Sequence, residues 1–310
     1  MRMDVTFDSA GITIAGHLFT PDNEQVGPRA AVVVGHPASG VKEQAAGLYA
    51  RHLAERGFVA LAFDAAYQGE SGGKPRGLED PAQRVEDLKA AVSFLSTRAE
   101  VDAGRIGALG ICASGGYVIP ASATDHRIKA VATVSAVDVG RSYREGPDGT
   151  QNPAVLQGLL DMAAQARTAE ARGEGTGYFP IFPATAEQAH QLGGRHGLEG
   201  FDYYCTDRAQ HPGSAKEFTW SSIDRIAAFE AFRFIDLIAP RPLLMIVGTE
   251  AITRHMTADA YAEAHQPKQL HWIDGASHVD LYDKAQYVDP AVEKLTEFFG
   301  AGLSQDTPAP

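Results

Sequence analysis

Three short stretches of the chain carry residue types able to do nucleophilic chemistry. "RIGALGICASGGYVIP", Arg105 to Pro120, is an apolar run that flows into a glycine-rich corner and then a helical stretch. Cys112 stands at the corner and Ser114 follows two residues later. A nucleophile at a strand–turn–helix corner, with small residues two before and two after it, forms a nucleophile elbow. With Cys112 at the apex the small neighbours are Gly110 and Ser114; with Ser114 they are Cys112 and Gly116. Register favours Cys112, because "RIGALGI" leads directly into it, whereas Ser114 falls two residues into the turn. A thiol there also feels the positive end of the following helix. The competing assignment is a buried packing cysteine, since free cysteine is among the most buried residue types.

The partners of such a nucleophile fall in a consistent chain order. "DGASH" (274–278) follows the final strand and places His278, as general base, on a loop at the same sheet edge as Cys112. A catalytic carboxylate must then accept from the imidazole N–H and orient the ring. The loop "GTEAITRH" (248–255) offers Glu250, and Asp138, after "IKAVATVSAV", is its rival. An oxyanion hole needs two donors, usually backbone N–H groups. One is that of Ala113, the residue after the apex. The other comes from "HPASG", where Pro37 has no N–H, leaving Ala38 first and Ser39 next.

These residues need a sheet to bring them together. "MDVTFDS" and "ITIAGHLFTP" alternate like a hairpin, and buried strands are expected at 29–36, 58–64, 105–111, 128–137, 243–248 and 269–274. Helices are expected at 41–57, 81–100, 114–124, 257–265 and 290–300. Such alternation gives an α/β fold with a mainly parallel central sheet flanked by helices. Between 139 and 238 the rhythm breaks into helical segments, 152–172 and 221–238, and aromatic-rich loops. The expected organisation is a core of 1–138 and 239–302, a helical cap insertion of 139–238 and a flexible tail of 303–310.

Composition narrows the function classes. Of 310 residues 44% are hydrophobic and 21% charged, enough for an ordinary core without metals or disulfides. A net charge of −12 disfavours nucleic acid and anionic membrane, both of which need a cationic footprint. Two cysteines make no secreted disulfide scaffold, and no apolar run approaches the ~20 residues that span a bilayer, so a cytoplasmic protein is expected. "GESGGKP" lacks phosphate-loop spacing, "GALGICASGG" is no dinucleotide fingerprint, and no zinc motif occurs. The expected partner is a small acyl substrate, with no cofactor and no metal; a homodimer is compatible with all of this.

Taken together, "GHPASG", "FDAAYQGESGG", "RIGALGICASGGY", "LLMIVGTE" and "DGASH" resemble the α/β-hydrolase superfamily, and within it the dienelactone-hydrolase-like branch. The resemblance covers about 1–138 and 239–300. It implies an α/β-hydrolase fold and a Cys–His–acid triad of Cys112, His278 and Glu250, where the family usually carries Asp. It also implies hydrolysis of a carboxylic ester, lactone or thioester through an acyl-enzyme, and mostly structural roles for Asp64, Gly69 and Ser71. The cap aromatics, chiefly Tyr203, Tyr204 and Tyr143, are candidates to line an apolar pocket, and Arg208 and Arg144 to grip a carboxylate. The alternative class is a non-catalytic ligand-binding or redox-sensing protein on the same scaffold.

Overall fold

The computed structural model describes residues 1–22 and 27–304; of the expected tail, residues 305–310 lie outside the described residues. Its centre is an eight-stranded sheet in the order β1-β2-β4-β3-β5-β6-β9-β10. β1 (Arg2–Ser9) and β2 (Ile12–Phe19) form the expected hairpin, and β2 joins β4 (Val59–Phe63) antiparallel. From there β3 (Arg29–Gly35), β5 (Val101–Ile111), β6 (Ile128–Val134), β9 (Leu243–Gly248) and β10 (Lys268–Ile273) run parallel.

Continuous apolar runs become central strands because both sheet faces are covered. Along β4, Val59, Leu61 and Phe63 enter one core while Ala60 and Ala62 enter the other. α2 (Pro81–Ser96), α3 (Ala113–Thr124) and α8 (Arg254–Glu263) pack on the first face; α1 (Ala45–Glu55) and α10 (Ala285–Gly302) pack on the second. The turn after β4 is structural, as the resemblance implied. Buried Asp64 accepts from Lys42 N at 2.7 Å, Lys42 Nζ at 2.9 Å and Glu70 N at 2.8 Å. Ser71 Oγ donates to Asp64 O at 2.6 Å and accepts from Ala15 N, which ties this turn to β2.

Between β6 and β9 lie α4 (Val139–Glu145), α5 (Pro153–Ala171), α6 (Ala186–Cys205), α7 (Ser221–Ala227) and a small antiparallel pair, β7 (Tyr178–Pro180) with β8 (Glu217–Thr219). The segment expected as one helix over 221–238 is two pieces: α7 stops at Ala227, and a 3₁₀ turn resumes at Ile235–Ile238. The interruption has a partner, since Ala231 N donates to the Asp138 carboxylate at 3.0 Å. α6 has no counterpart in the periodicity because Gly193, Gly194, Gly197 and Gly200 interrupt it, and it kinks at Gly194. α10 opens at Ala285 and carries Pro290 inside it, so the proline marks the first turns and not the start.

One glycine is essential to the sheet-to-helix corner. A Cβ on Gly110 would stand 2.1 Å from Ser114 O, so β5 and the first turn of α3 can touch only there without a side chain. Gly110→Ala is expected to lower unfolding free energy by about 2–3 kcal/mol, as overpacking does. Gly158→Ala, in α5 with nothing within 4 Å of its added Cβ, is expected to be neutral or stabilising by up to about 1 kcal/mol. Urea denaturation of the two variants checks both.

Candidate active site

β5 ends at Ile111 and α3 begins at Ala113, so Cys112 is the whole corner, with φ 55° and ψ −117°. A non-glycine residue rarely takes such a positive φ, and it persists only where its surroundings over-determine it. They do so here. Cys112 N donates to Val134 O at 3.0 Å, and Cys112 O accepts from Gly115 N at 2.9 Å and Val137 N at 3.0 Å. Ser114 is not at the apex: buried in α3, it donates its hydroxyl to His36 O at 2.6 Å and bolts the corner to the end of β3. The backbone thus puts Cys112 at the apex, where the run "RIGALGI" predicts it.

The Cys112 thiol is pushed up by burial. Opposing that, the Tyr282 hydroxyl, the backbone N–H groups of Ala113 and Ala38, and the Arg84 charge all favour the thiolate. The N–H of Ala113, at the start of α3, and that of Ala38, on the loop after β3, thus both neighbour the sulfur, as the donors of an oxyanion hole must neighbour the nucleophile. The Ala38 loop is held from behind. His36 Nδ1 donates to Pro37 O at 2.6 Å, and its Nε2 accepts from Ala65 N at 3.0 Å, which fixes the tautomer. Arg84, itself buried, donates to Pro37 O at 3.3 Å and Ala38 O at 3.2 Å, and its Nε pairs with Glu79 at 3.0 Å. Glu79 also accepts from Tyr117 at 2.7 Å. Breaking such a buried pair would strand a charge.

His278 is buried on the loop after β10. Its Nδ1 lies 2.7 Å from Thr253 Oγ1 and its Nε2 2.9 Å from the Tyr282 hydroxyl. Burial, with the His196 ring at 5.2 Å, holds its pKa well below the ordinary histidine value of 6.5. The imidazole is therefore neutral at pH 7.

The structure does not bring Glu250 to this ring. Glu250 N donates to Ala276 O, and the turn sends the carboxylate outward, half exposed and 3.6 Å from Arg195. Three residues on, Thr253 takes the position at Nδ1. Asp138 is also elsewhere, capping α4 through Arg141 N at 2.9 Å. Of the cap aromatics, Tyr204 reaches the site: it interacts with the Cys112 thiol and with Ser39, and stacks on Phe182 at 4.9 Å. Tyr203 accepts from Ala45 N at 3.1 Å and meets the Tyr282 ring edge-on at 5.2 Å. Tyr143 is half-buried beside Glu79 and Tyr117. Arg208 is committed to Asp283 and Asp202, and Arg144 to two carbonyls, so both expected carboxylate grips are already engaged.

Sequence reasoning missed Thr253, Tyr282, Arg84 and His196. "HVDLY" places Tyr282 four residues after His278, a helical spacing that could have flagged it. Thr253 carried no signal beyond lying in the loop that offers Glu250, and Arg84, inside the expected helix over 81–100, carried none.

Folded stability should show these buried histidines. His36, His278 and His196 all have pKa values lowered by burial, so the unfolded chain binds more protons below 6.5. Their contribution is fully present above 6.5 and is lost as pH falls through the folded values. Urea unfolding is expected to give lower stability at pH 5.5 than at pH 7.5.

A profile of the Dienelactone hydrolase family matches residues 14–166. The uncharacterized protein YcjY of Escherichia coli is 38% identical over 282 residues, 91% of each chain. The uncharacterized protein PA2218 of Pseudomonas aeruginosa is 38% identical over 304 residues, 96% of this chain and 80% of that one. Its crystal structure superposes with a TM-score of 0.90 at 36% identity, over 98% of this chain and 94% of that chain. The thiohydrolase apmlB of Arthrinium phaeospermum is 28% identical over 234 residues, 73% of each chain.

Proposed function

This chain belongs to the dienelactone-hydrolase-like branch of the α/β hydrolases, enzymes acting on ester bonds, and on that premise we propose that it cleaves an acyl ester, lactone or thioester through a Cys112 acyl-enzyme. The observation that carries this reading is the strained Cys112 corner with the Ala113 and Ala38 N–H groups converging on its sulfur. In the proposed cycle the thiol loses its proton towards His278 as sulfur attacks the carbonyl carbon. The carbonyl oxygen takes the negative charge and is held by the two N–H groups. Collapse expels the alcohol or thiol leaving group, and water, deprotonated by His278, releases the acid.

Thioesters suit this nucleophile best. Sulfur replaces sulfur, and a thiolate, with its lower pKa, leaves faster than an alkoxide. The thiohydrolase name of one relative agrees with that preference. Thr253 stands in for the carboxylate of a triad: it fixes the ring's orientation and supplies no charge to an imidazolium. The proton therefore moves only as the carbonyl is attacked, and no thiolate–imidazolium pair stands ready.

The test is a time course with activated acyl esters and thioesters, with intact-protein mass spectrometry for an adduct. The adduct is expected on Cys112 and absent in Cys112→Ala. Thr253→Val is expected to slow turnover about tenfold or more through loss of ring orientation, at the low end of the general-base contribution, while Glu250→Gln stays within about threefold of wild type. An adduct on Ser114, or a Glu250→Gln loss as large as that of Thr253→Val, would overturn these assignments. No adduct across the panel would favour a binding or redox-sensing protein.

The thiol also has a direct readout. Because burial pushes the Cys112 thiol up, its alkylation by iodoacetamide is expected to be slow at pH 7 and to accelerate towards alkaline pH. A fast, pH-independent reaction down to pH 6 would contradict a protonated resting thiol.

A further inference from the structure

We propose that Tyr282 is a catalytic residue whose hydroxyl relays the Cys112 proton to His278. This rests on the acyl-enzyme reading above and deepens it. Tyr282 Oη lies 2.9 Å from His278 Nε2, and the same hydroxyl faces the Cys112 sulfur. Nδ1 on the other side of the ring is occupied by Thr253. With both imidazole nitrogens engaged, the thiol's route to the base passes through the tyrosine.

The geometry is built and not incidental. Tyr282 belongs to the short helix Asp280–Asp283, and its N–H donates to Val279 O at 3.0 Å. Its ring is boxed edge-on by Tyr203 at 5.2 Å and by His278 at 5.6 Å, and it is buried. The ionisable groups facing the hydroxyl are Cys112, Tyr203, Tyr204 and His278. Burial and these neighbours push the phenol well above its ordinary value, so it works as a neutral O–H.

The step balances without a co-reactant. As the S–C bond forms from a sulfur lone pair, the S–H proton passes to the tyrosine oxygen. The tyrosine proton passes to Nε2, and the carbonyl π pair moves to the oxygen facing Ala113 and Ala38. His278 ends as imidazolium, with its Nδ1 proton still donated to Thr253 Oγ1. When the intermediate collapses, Nε2 returns its proton to the tyrosine oxygen, and the tyrosine proton passes to the leaving group in place of the sulfur.

The experiment measures single-turnover formation of the Cys112 adduct from an activated thioester across pH. Tyr282→Phe is expected to slow it about 100-fold, a typical contribution of positioned proton transfer. Stoichiometric iodoacetamide labelling of Cys112 should survive, because the fold and the thiol remain. Site-specific 3-fluorotyrosine at 282, which keeps the ring's shape and lowers the phenol pKa, is expected to form the adduct with its alkaline dependence moved to lower pH. A packing role would leave that dependence unmoved. A Tyr282→Phe rate within threefold of wild type, or an unshifted fluorotyrosine profile, would overturn the relay and mean that the thiol meets His278 directly. Absence of any Cys112 adduct in the wild-type protein would sink the acyl-enzyme reading itself, and the relay with it.

Discussion

Everything at this site depends on one backbone conformation, the positive φ of Cys112. An L-residue held there costs on the order of 1–2 kcal/mol, and the surrounding structure is arranged to offset it. Three backbone hydrogen bonds converge on Cys112, and Ser114 reaches back to His36. Gly110 leaves room for the Ser114 carbonyl. In return, the conformation lifts the thiol out of the β5 ladder and turns the Ala113 N–H towards the same point that Ala38 addresses. Relaxing the corner would return the sulfur to the sheet and leave the two donors without a common target. The small residues of "GICASGG" are thus a steric requirement of the corner, and the chemistry is a consequence of meeting it.

Behind the corner, charge is kept one layer away from the Cys112 sulfur. Arg84 and Glu79 are both buried and paired at 3.0 Å, and Arg84 grips the carbonyls on either side of the Ala38 N–H. The groups around the sulfur itself are shifted towards their neutral forms. The thiol and the Tyr282 phenol are pushed up by burial, and the imidazole is pushed down. Such a layer carries no standing ion pair and has little to lose by excluding water. Its fixed dipoles gain strength in the low dielectric, where charge develops only during reaction.

The parts legible in the sequence are those governed by local sterics and strand periodicity. The sheet, its parallel sense, the Cys112 apex and the loop position of His278 follow from runs such as "RAAVVVGH" and "RIGALGI" and from a corner that only small residues fit. Glu250 shows the limit. Chain order selects the loop, but which side chain turns inward depends on where the turn places each residue. The bond from Glu250 N to Ala276 O directs that carboxylate outward. His196 was missed for a related reason: its ring meets that of His278 from α6, an element distant in sequence. α6 was hidden because its four glycines erase the helical stripe that would reveal it.

Those glycines also explain how the insertion reaches the site. Gly194 lets α6 change direction at φ 54°. The second half of α6 then delivers His196 against His278, Tyr203 against Tyr282, and Tyr204 beside the thiol. His196, Tyr203 and Tyr204 follow that kink at i, i+7 and i+8, so one face of the second half presents all three to the same centre. Tyr203 is further tied to the first turn of α1 through Ala45 N, and Gln44 reaches Ala209 O at 2.7 Å. The insertion is therefore fastened to the same part of the chain that follows the Ala38 loop. A change in how α6 sits would be felt at His278, at the Tyr282 hydroxyl and at the loop bearing the Ala38 N–H together. These three groups are therefore positioned as a unit by the insertion and the start of α1.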